Sequence, residues 1–199
     1  MQPLALCPRA EVETLDLFDR RAILRGQPFA GEFALRPLDT SHDLDLVHRW
    51  MNDPEVARFW RKAWPLDRLA TYLREQECST HVQPYLGEVD GVAMSYWELY
   101  RADLDPLAQY YDARRHDAGV HLLLGPTVSR GRGLGTALLR VVSSWQLDAD
   151  PRASRVVAEP DLSNERSIRA FQQAGFRRIR DLVLPDKLAA LMVRERPSH

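Results

Sequence analysis

At 199 residues, with 45% apolar and 28% charged side chains, the chain has the make-up of a globular domain that buries a core without staples, which excludes a globally disordered polypeptide. Lys and Arg number 27 against 28 Asp and Glu, a net charge of -1, so no basic excess exists to neutralise a run of phosphates, and nucleic acid is not an expected partner. Two cysteines, Cys7 and Cys78, make no disulfide framework and show no metal-ligand spacing, and no apolar run has the length of a signal core or a membrane span; the expectation is a cytoplasmic protein with reduced thiols and no metal, a monomer or homodimer acting away from membranes.

Residues 1–32 carry Pro3, Pro8, Gly26, Pro28 and Gly31 among mixed side chains and read as an irregular leader with one short element, ahead of a single domain over 33–199. Phe33 to Leu38 reads as a strand. Leu44, Val47, Trp50 and Met51 then recur at helical spacing until Asn52-Asp53-Pro54, and Trp64-Pro65 opens a further helix with Leu66, Leu69, Tyr72 and Leu73 on its apolar side. Tyr85–Val89 and Val92–Leu99 flank Asp90-Gly91, which marks a tight hairpin. After a tyrosine-bearing connector, Gly119–Leu124 is apolar at nearly every position and belongs in the middle of a sheet. A glycine-rich loop leads into a helix through Leu138, Val141, Val142 and Trp145; Arg155–Glu159 reads as a strand and Asn164–Ala174 as a helix that Gly175 ends. Phe176–Leu184 and Leu188–Val193 are strands about the turn Pro185-Asp186-Lys187.

Strand, then Arg130-Gly131-Arg132-Gly133-Leu134-Gly135-Thr136, then helix, lets a ligand approach backbone while the helix N-terminus turns its free N–H groups outward, a cradle for phosphate oxygens. The P-loop ending is absent, and Thr136 stands where the dinucleotide fingerprint needs its third glycine. The spacing Arg130-x-x-Gly133-x-Gly135, followed by Asn164-x-x-Ser167-x-x-x-Phe171-x-x-x-Gly175-Phe176, resembles the two signatures of the GCN5-related N-acetyltransferases, over roughly residues 33–194. That resemblance implies an α/β (α+β) fold: a mixed, mostly antiparallel central sheet flanked by helices, with a splayed pair of central strands. It implies an acyl-coenzyme A co-substrate, acetyl-CoA or another, held by Leu123, Arg130, Gly131, Arg132, Gly133, Leu134, Gly135, Thr136, Asn164, Ser167 and Phe171. Many members of the family use a tyrosine where this chain has Phe171, whose ring has no proton to give the leaving thiolate and is expected to pack.

His48–Val56 with Trp60, Tyr85–Gly91, Tyr96-Trp97-Glu98 and Asp117–Gly125 are similar to the siderophore-biosynthesis branch, which acylates hydroxylated lysine or diamines and has a catalytic histidine at the position of His121 and an acidic residue at that of Glu159. The chemistry also asks for a proton acceptor near neutral pH, and an imidazole suits it. His121 and Glu159 are therefore the candidate catalytic residues, with Leu122 and Leu123 N–H groups as candidates for the oxyanion contact. Trp50, Trp60, Tyr96, Trp97, Glu98 and Asp161 are candidates for the acceptor site, although large aromatics at such spacings are more often core and Asp161 has equal claim to be a loop cap. The leading expectation is acylation of an N-hydroxylated amine to a hydroxamate. Aminoglycoside 6'-N-acetylation and a non-catalytic acyl-CoA sensor are the alternatives.

Overall fold

The computed structural model describes residues 20–25 and 30–197. The described strands form one sheet: β1 (Arg21–Leu24), β2 (Gly31–Pro37), β3 (Val82–Val89), β4 (Val92–Arg101), β5 (Ala118–Leu124), β6 (Arg155–Ala158), β7 (Arg177–Val183) and β8 (Leu188–Glu195), in the spatial order β1-β2-β3-β4-β5-β6-β8-β7. Every neighbouring pair is antiparallel except β5 and β6. The boundary expected at residue 32 falls inside β2, and β1, from the expected leader, pairs with β2 at the sheet edge. The rest of that leader lies outside the described residues.

Among the described residues five α-helices complete the fold: α1 (Thr40–Met51), α2 (Pro54–Trp60), α3 (Leu66–Glu77), α4 (Leu134–Ala149) and α5 (Glu165–Gln173). Asp39 and Asp53 cap α1 and α2 through their side chains, and Pro54 occupies the first turn of α2, where its missing N–H is not needed. Leu69 and Leu73 bury the inner face of α3; Leu66, expected to share it, is 41% exposed as the first residue of the helix, at the end of that face. Asp90 and Gly91 both take positive φ (49° and 76°), as a two-residue hairpin loop requires. Among the described residues no helix is long and apolar enough to cross a membrane. Cys78 stands at the end of α3, and Cys7 lies outside the described residues.

Alternation along the strands divides the core. Trp97, Leu99 and Val120 pack with Leu138 and Val142 of α4, whereas Leu86, Tyr96 and Leu123 pack with Val47, Trp50, Leu69 and Leu73 of α1 and α3. A third cluster at the far end holds Tyr100, Tyr111, Val157 and Leu191. The parallel pairing of β5 with β6 stops after Ala118↔Val156 and Gly119↔Val157, while β5 stays paired with β4 as far as Leu124. From Gly119 onward one edge of β5 faces a cleft. At the point of parting the buried Gln146 side chain of α4 donates to the Gly119 carbonyl at 2.9 Å, so helix α4 supplies a hydrogen bond beside the broken ladder.

Candidate active site

Two cavities meet at this parting. The larger, about 780 Å³, runs between α2 and the start of α5 and is floored by Leu122–Leu124 and the glycine loop. Gly133 caps α4 with φ 84° and no side-chain hydrogen bond, Gly131 has φ 72°, and a Cβ at either would meet open space. The first-turn N–H groups of α4 therefore face the cleft without a cap from their own loop, the geometry an anionic diphosphate needs. Gly131, Gly133, Gly135, Thr136, Asn164 and Ser167 all line it.

Several expected cofactor contacts act differently in detail. The Arg130 guanidinium, only 9% exposed, donates to the carbonyls of Leu124 and Gly125 and pairs with Asp53, which ties the loop to the end of β5 and the cap of α2. Arg132 is exposed and does not line the cleft, and Leu134 is buried in the core. The Leu123 side chain packs beneath α1–α3, so what it can offer a donor is backbone. Asn164 caps α5, its side chain accepting from the Ser167 N–H at 3.1 Å. Phe171 packs edge-on against Phe176, as its lack of a hydroxyl led one to expect, and borders both cavities.

The smaller cavity, about 360 Å³, holds the titratable groups. Glu98 lies directly across the β4–β5 ladder from His121, and Glu159 follows β6 as His121 follows the last paired residue of β5, so the three side chains converge. His121 Nδ1 lies 3.0 Å from Glu98 Oε2 and Nε2 2.6 Å from Glu159 Oε1, with the imidazole 35% exposed and both carboxylates buried. Glu98 accepts from the hydroxyls of Tyr72 (2.5 Å) and Tyr96 (3.0 Å), and Glu159 from that of Tyr100 (3.0 Å). Burial opposes charge on the imidazole, but Glu159 and Glu98 outweigh it and raise its pKa to about 9. Burial likewise opposes ionisation of Glu98, yet the hydrogen bond and charge of His121, with Lys62 and Tyr72, hold it down to about 2; Glu159 is held well below the ordinary carboxylate range, burial again being outweighed by His121 and Lys187. Burial and Glu98 push the Tyr96 phenol up, and burial and Glu159 push that of Tyr100 up, so both stay protonated donors.

Trp60 borders both cavities, its ring 6.2 Å from that of His121. Trp50 and Trp97, proposed for the acceptor site, belong to the core instead. Trp50 lies so close beneath Gly125 that a Cβ there would meet its ring, and Trp97 is fully buried, donating to Ser95 Oγ. Tyr96 is also fully buried and reaches the site through Glu98 and its edge contact with Trp60. Asp161 caps the loop by accepting from the Ser163 N–H, lines the cavity and pairs with Arg61 at 2.9 Å. Sequence reasoning missed Tyr72, Tyr100, Lys62 and Lys187. Tyr100 had a signal, since Tyr96, Glu98 and Tyr100 alternate onto one face of β4; the other three arrive from separate elements.

The parted strands, glycine loop and histidine flanked by carboxylates define a GNAT-type acetyltransferase domain. Residues 39–184 match the acetyltransferase (GNAT) domain family, and the chain belongs to it. It is 34% identical to the N(6)-hydroxylysine O-acetyltransferase of Escherichia coli over 82% of this chain and 52% of that protein, so it spans about half that relative's length. It is 32% identical to the lysine N-acyltransferase MbtK of Mycolicibacterium paratuberculosis over 99% of this chain and 89% of that one. The aminoglycoside acetyltransferase AAC(6')-Ib, solved with parmomycin and acetyl-CoA, superposes with a TM-score of 0.73 at 28% identity, covering 82% of this chain and 93% of that one.

Proposed function

We propose that this chain transfers an acyl group from coenzyme A to the nitrogen of an N-hydroxylated amine, forming a hydroxamate of the kind built into siderophores. The observation that carries the reading is the Glu98–His121–Glu159 array where the two cavities meet, because it sets a proton acceptor beside the end of an acyl-CoA-sized cleft. The names of the Escherichia coli and Mycolicibacterium relatives, both specifying a lysine-type acceptor, support the choice of substrate.

The nitrogen lone pair attacks the thioester carbonyl, the C–S bond breaks, and the proton on nitrogen passes to His121. With its pKa near 9, the imidazole is mostly charged at neutral pH, so the competent neutral form is a minority that grows with pH. An alkyl ammonium of pKa about 10.4 would add a second proton to remove. An N-hydroxylated amine is far less basic and arrives neutral, so this site needs only the late proton. The open edge of β5 at Leu122 and Leu123 is where backbone N–H groups would meet the developing oxyanion. Use of an acyl-CoA donor places the enzyme, on this proposal, in the cytoplasm.

Thiol release from acetyl-CoA, followed with N-hydroxylysine, N-hydroxycadaverine and kanamycin side by side, tests the reading. Turnover of the hydroxylamines is expected, and kanamycin as the better acceptor would overturn it in favour of aminoglycoside acetylation. Coenzyme A binding without any turnover would favour a sensor. His121→Ala should lower kcat by about 10²- to 10⁴-fold with the Kd for acetyl-CoA nearly unchanged.

A further inference from the structure

We infer that the acceptor carries a carboxylate remote from its reacting nitrogen and that Lys62 receives it, which makes the substrate an N-hydroxylated amino acid rather than a simple N-hydroxylated diamine. The inference rests on the acyl-transfer reading above and narrows it.

Arg61 ends α2 with φ 53°, and this left-handed turn carries the following Lys62 into the wall of the acceptor cavity. The Lys62 ammonium stands over three rings, 4.8 Å from the centre of Tyr72, 5.7 Å from Trp60 and 5.9 Å from Trp64. Rings attract a cation and fix its stem, but they leave its N–H donors available. The other cations at this cavity are engaged: Lys187 pairs with Glu159 at 3.4 Å and Arg61 with Asp161 at 2.9 Å. Among the described residues, no carboxylate lies within 4 Å of the Lys62 ammonium. Its charge bears on Glu98 from beyond hydrogen-bonding distance, so its N–H donors are left for an anionic ligand group.

Position and charge agree with that assignment. The Trp60 ring neighbours both the His121 ring, at 6.2 Å, and the Lys62 ammonium, at 5.7 Å. A straight aliphatic chain lying along this indole joins the two points, apolar stem on aromatic face. A diamine would bring only positive charge toward Lys62. An amino acid brings a carboxylate, and its α-ammonium has carboxylates available in the same lining, Asp105 and Asp186.

A carboxylate could also enter as the distal end of a dicarboxylic acyl group, so the test separates the two sources. N-hydroxylysine and N-hydroxycadaverine differ only by the carboxylate. With acetyl-CoA as donor, Lys62→Met is expected to lower the ratio of kcat/KM for N-hydroxylysine over N-hydroxycadaverine by about ten- to hundredfold, mainly through KM, and Lys62→Arg to restore most of it. A parallel arm compares succinyl-CoA with acetyl-CoA on N-hydroxycadaverine. An unchanged acceptor ratio in Lys62→Met, or a loss confined to the succinyl donor, overturns the inference while leaving acyl transfer intact. No turnover of either hydroxylamine by the unaltered enzyme overturns the acyl-transfer reading and this inference together.

Discussion

A neutral imidazole has one N–H and cannot donate to two carboxylates at once, so the contacts of His121 to Glu98 and Glu159 favour the charged ring. That has a kinetic consequence. The alkaline-rising limb of kcat/KM, which reports the free enzyme's base, should lie near pH 9. Glu98→Gln removes one of the two charges and should move that limb toward the ordinary histidine value of 6.5, because the amide oxygen still accepts from Nδ1 but carries no charge. A pH profile superposable on that of the unaltered enzyme would show that His121 is not the titrating base. Glu98 was expected among the acceptor contacts from the resemblance that Tyr96-Trp97-Glu98 carries. Its partnership with His121 depends on the β4–β5 register, and the two hydroxyls that hold it come from α3 and β4.

At the scale of elements, the parting of β5 from β6 depends on side chains on both faces of the sheet. A Cβ on Gly119 would stand 2.2 Å from the Tyr100 ring, so glycine lets that tyrosine cross β5 and reach Glu159. Gly119→Ala should push Tyr100 aside, costing about 1–3 kcal/mol by overpacking and lowering kcat through the loosened Glu159, read by urea unfolding and steady-state kinetics together. Arg130 lines the larger cavity, as its place in the signature spacing implied, and its guanidinium also clamps Leu124, Gly125 and Asp53, so the side chain sets α2 over the cleft.

Across the whole molecule, the connector between β4 and β5 is tied to β6 through Asp117. This fully buried carboxylate accepts from Arg155 at both oxygens, from the Tyr111 hydroxyl at 2.9 Å and from the Arg114 N–H at 2.8 Å. Asp117→Asn would leave the Arg155 guanidinium buried and unpaired, and should cost about 3–5 kcal/mol in chemical unfolding, without an altered pH limb in the folded enzyme. Ligand linkage gives an independent global readout. Acetyl-CoA at a hundred times its Kd should stabilise the fold by about 2.7 kcal/mol, a rise in Tm of about 5–10 °C for a chain of this size. Stability itself should fall at both ends of the pH range. His121, raised on folding, contributes fully below its unfolded value of 6.5 and loses that as pH climbs through about 9, whereas Glu98 and Glu159, depressed on folding, contribute above their ordinary 4.5 and lose it as pH drops toward 2.

Local patterns in the chain determined most of the elements, the hairpin at Asp90-Gly91 and the glycine loop, because periodicity, turn chemistry and backbone freedom act over a few residues, while the candidacy of His121 and Glu159 came from the resemblance to the siderophore-biosynthesis branch. Tertiary structure alone decided that β8 lies between β6 and β7, that Trp50 and Trp97 serve the core, that Lys62 and Lys187 stand at the smaller cavity, and that Tyr72 holds Glu98 there. Those outcomes depend on strand order and on side chains distant in sequence sharing one space. Which side chains meet there follows from packing and register, which no local propensity encodes.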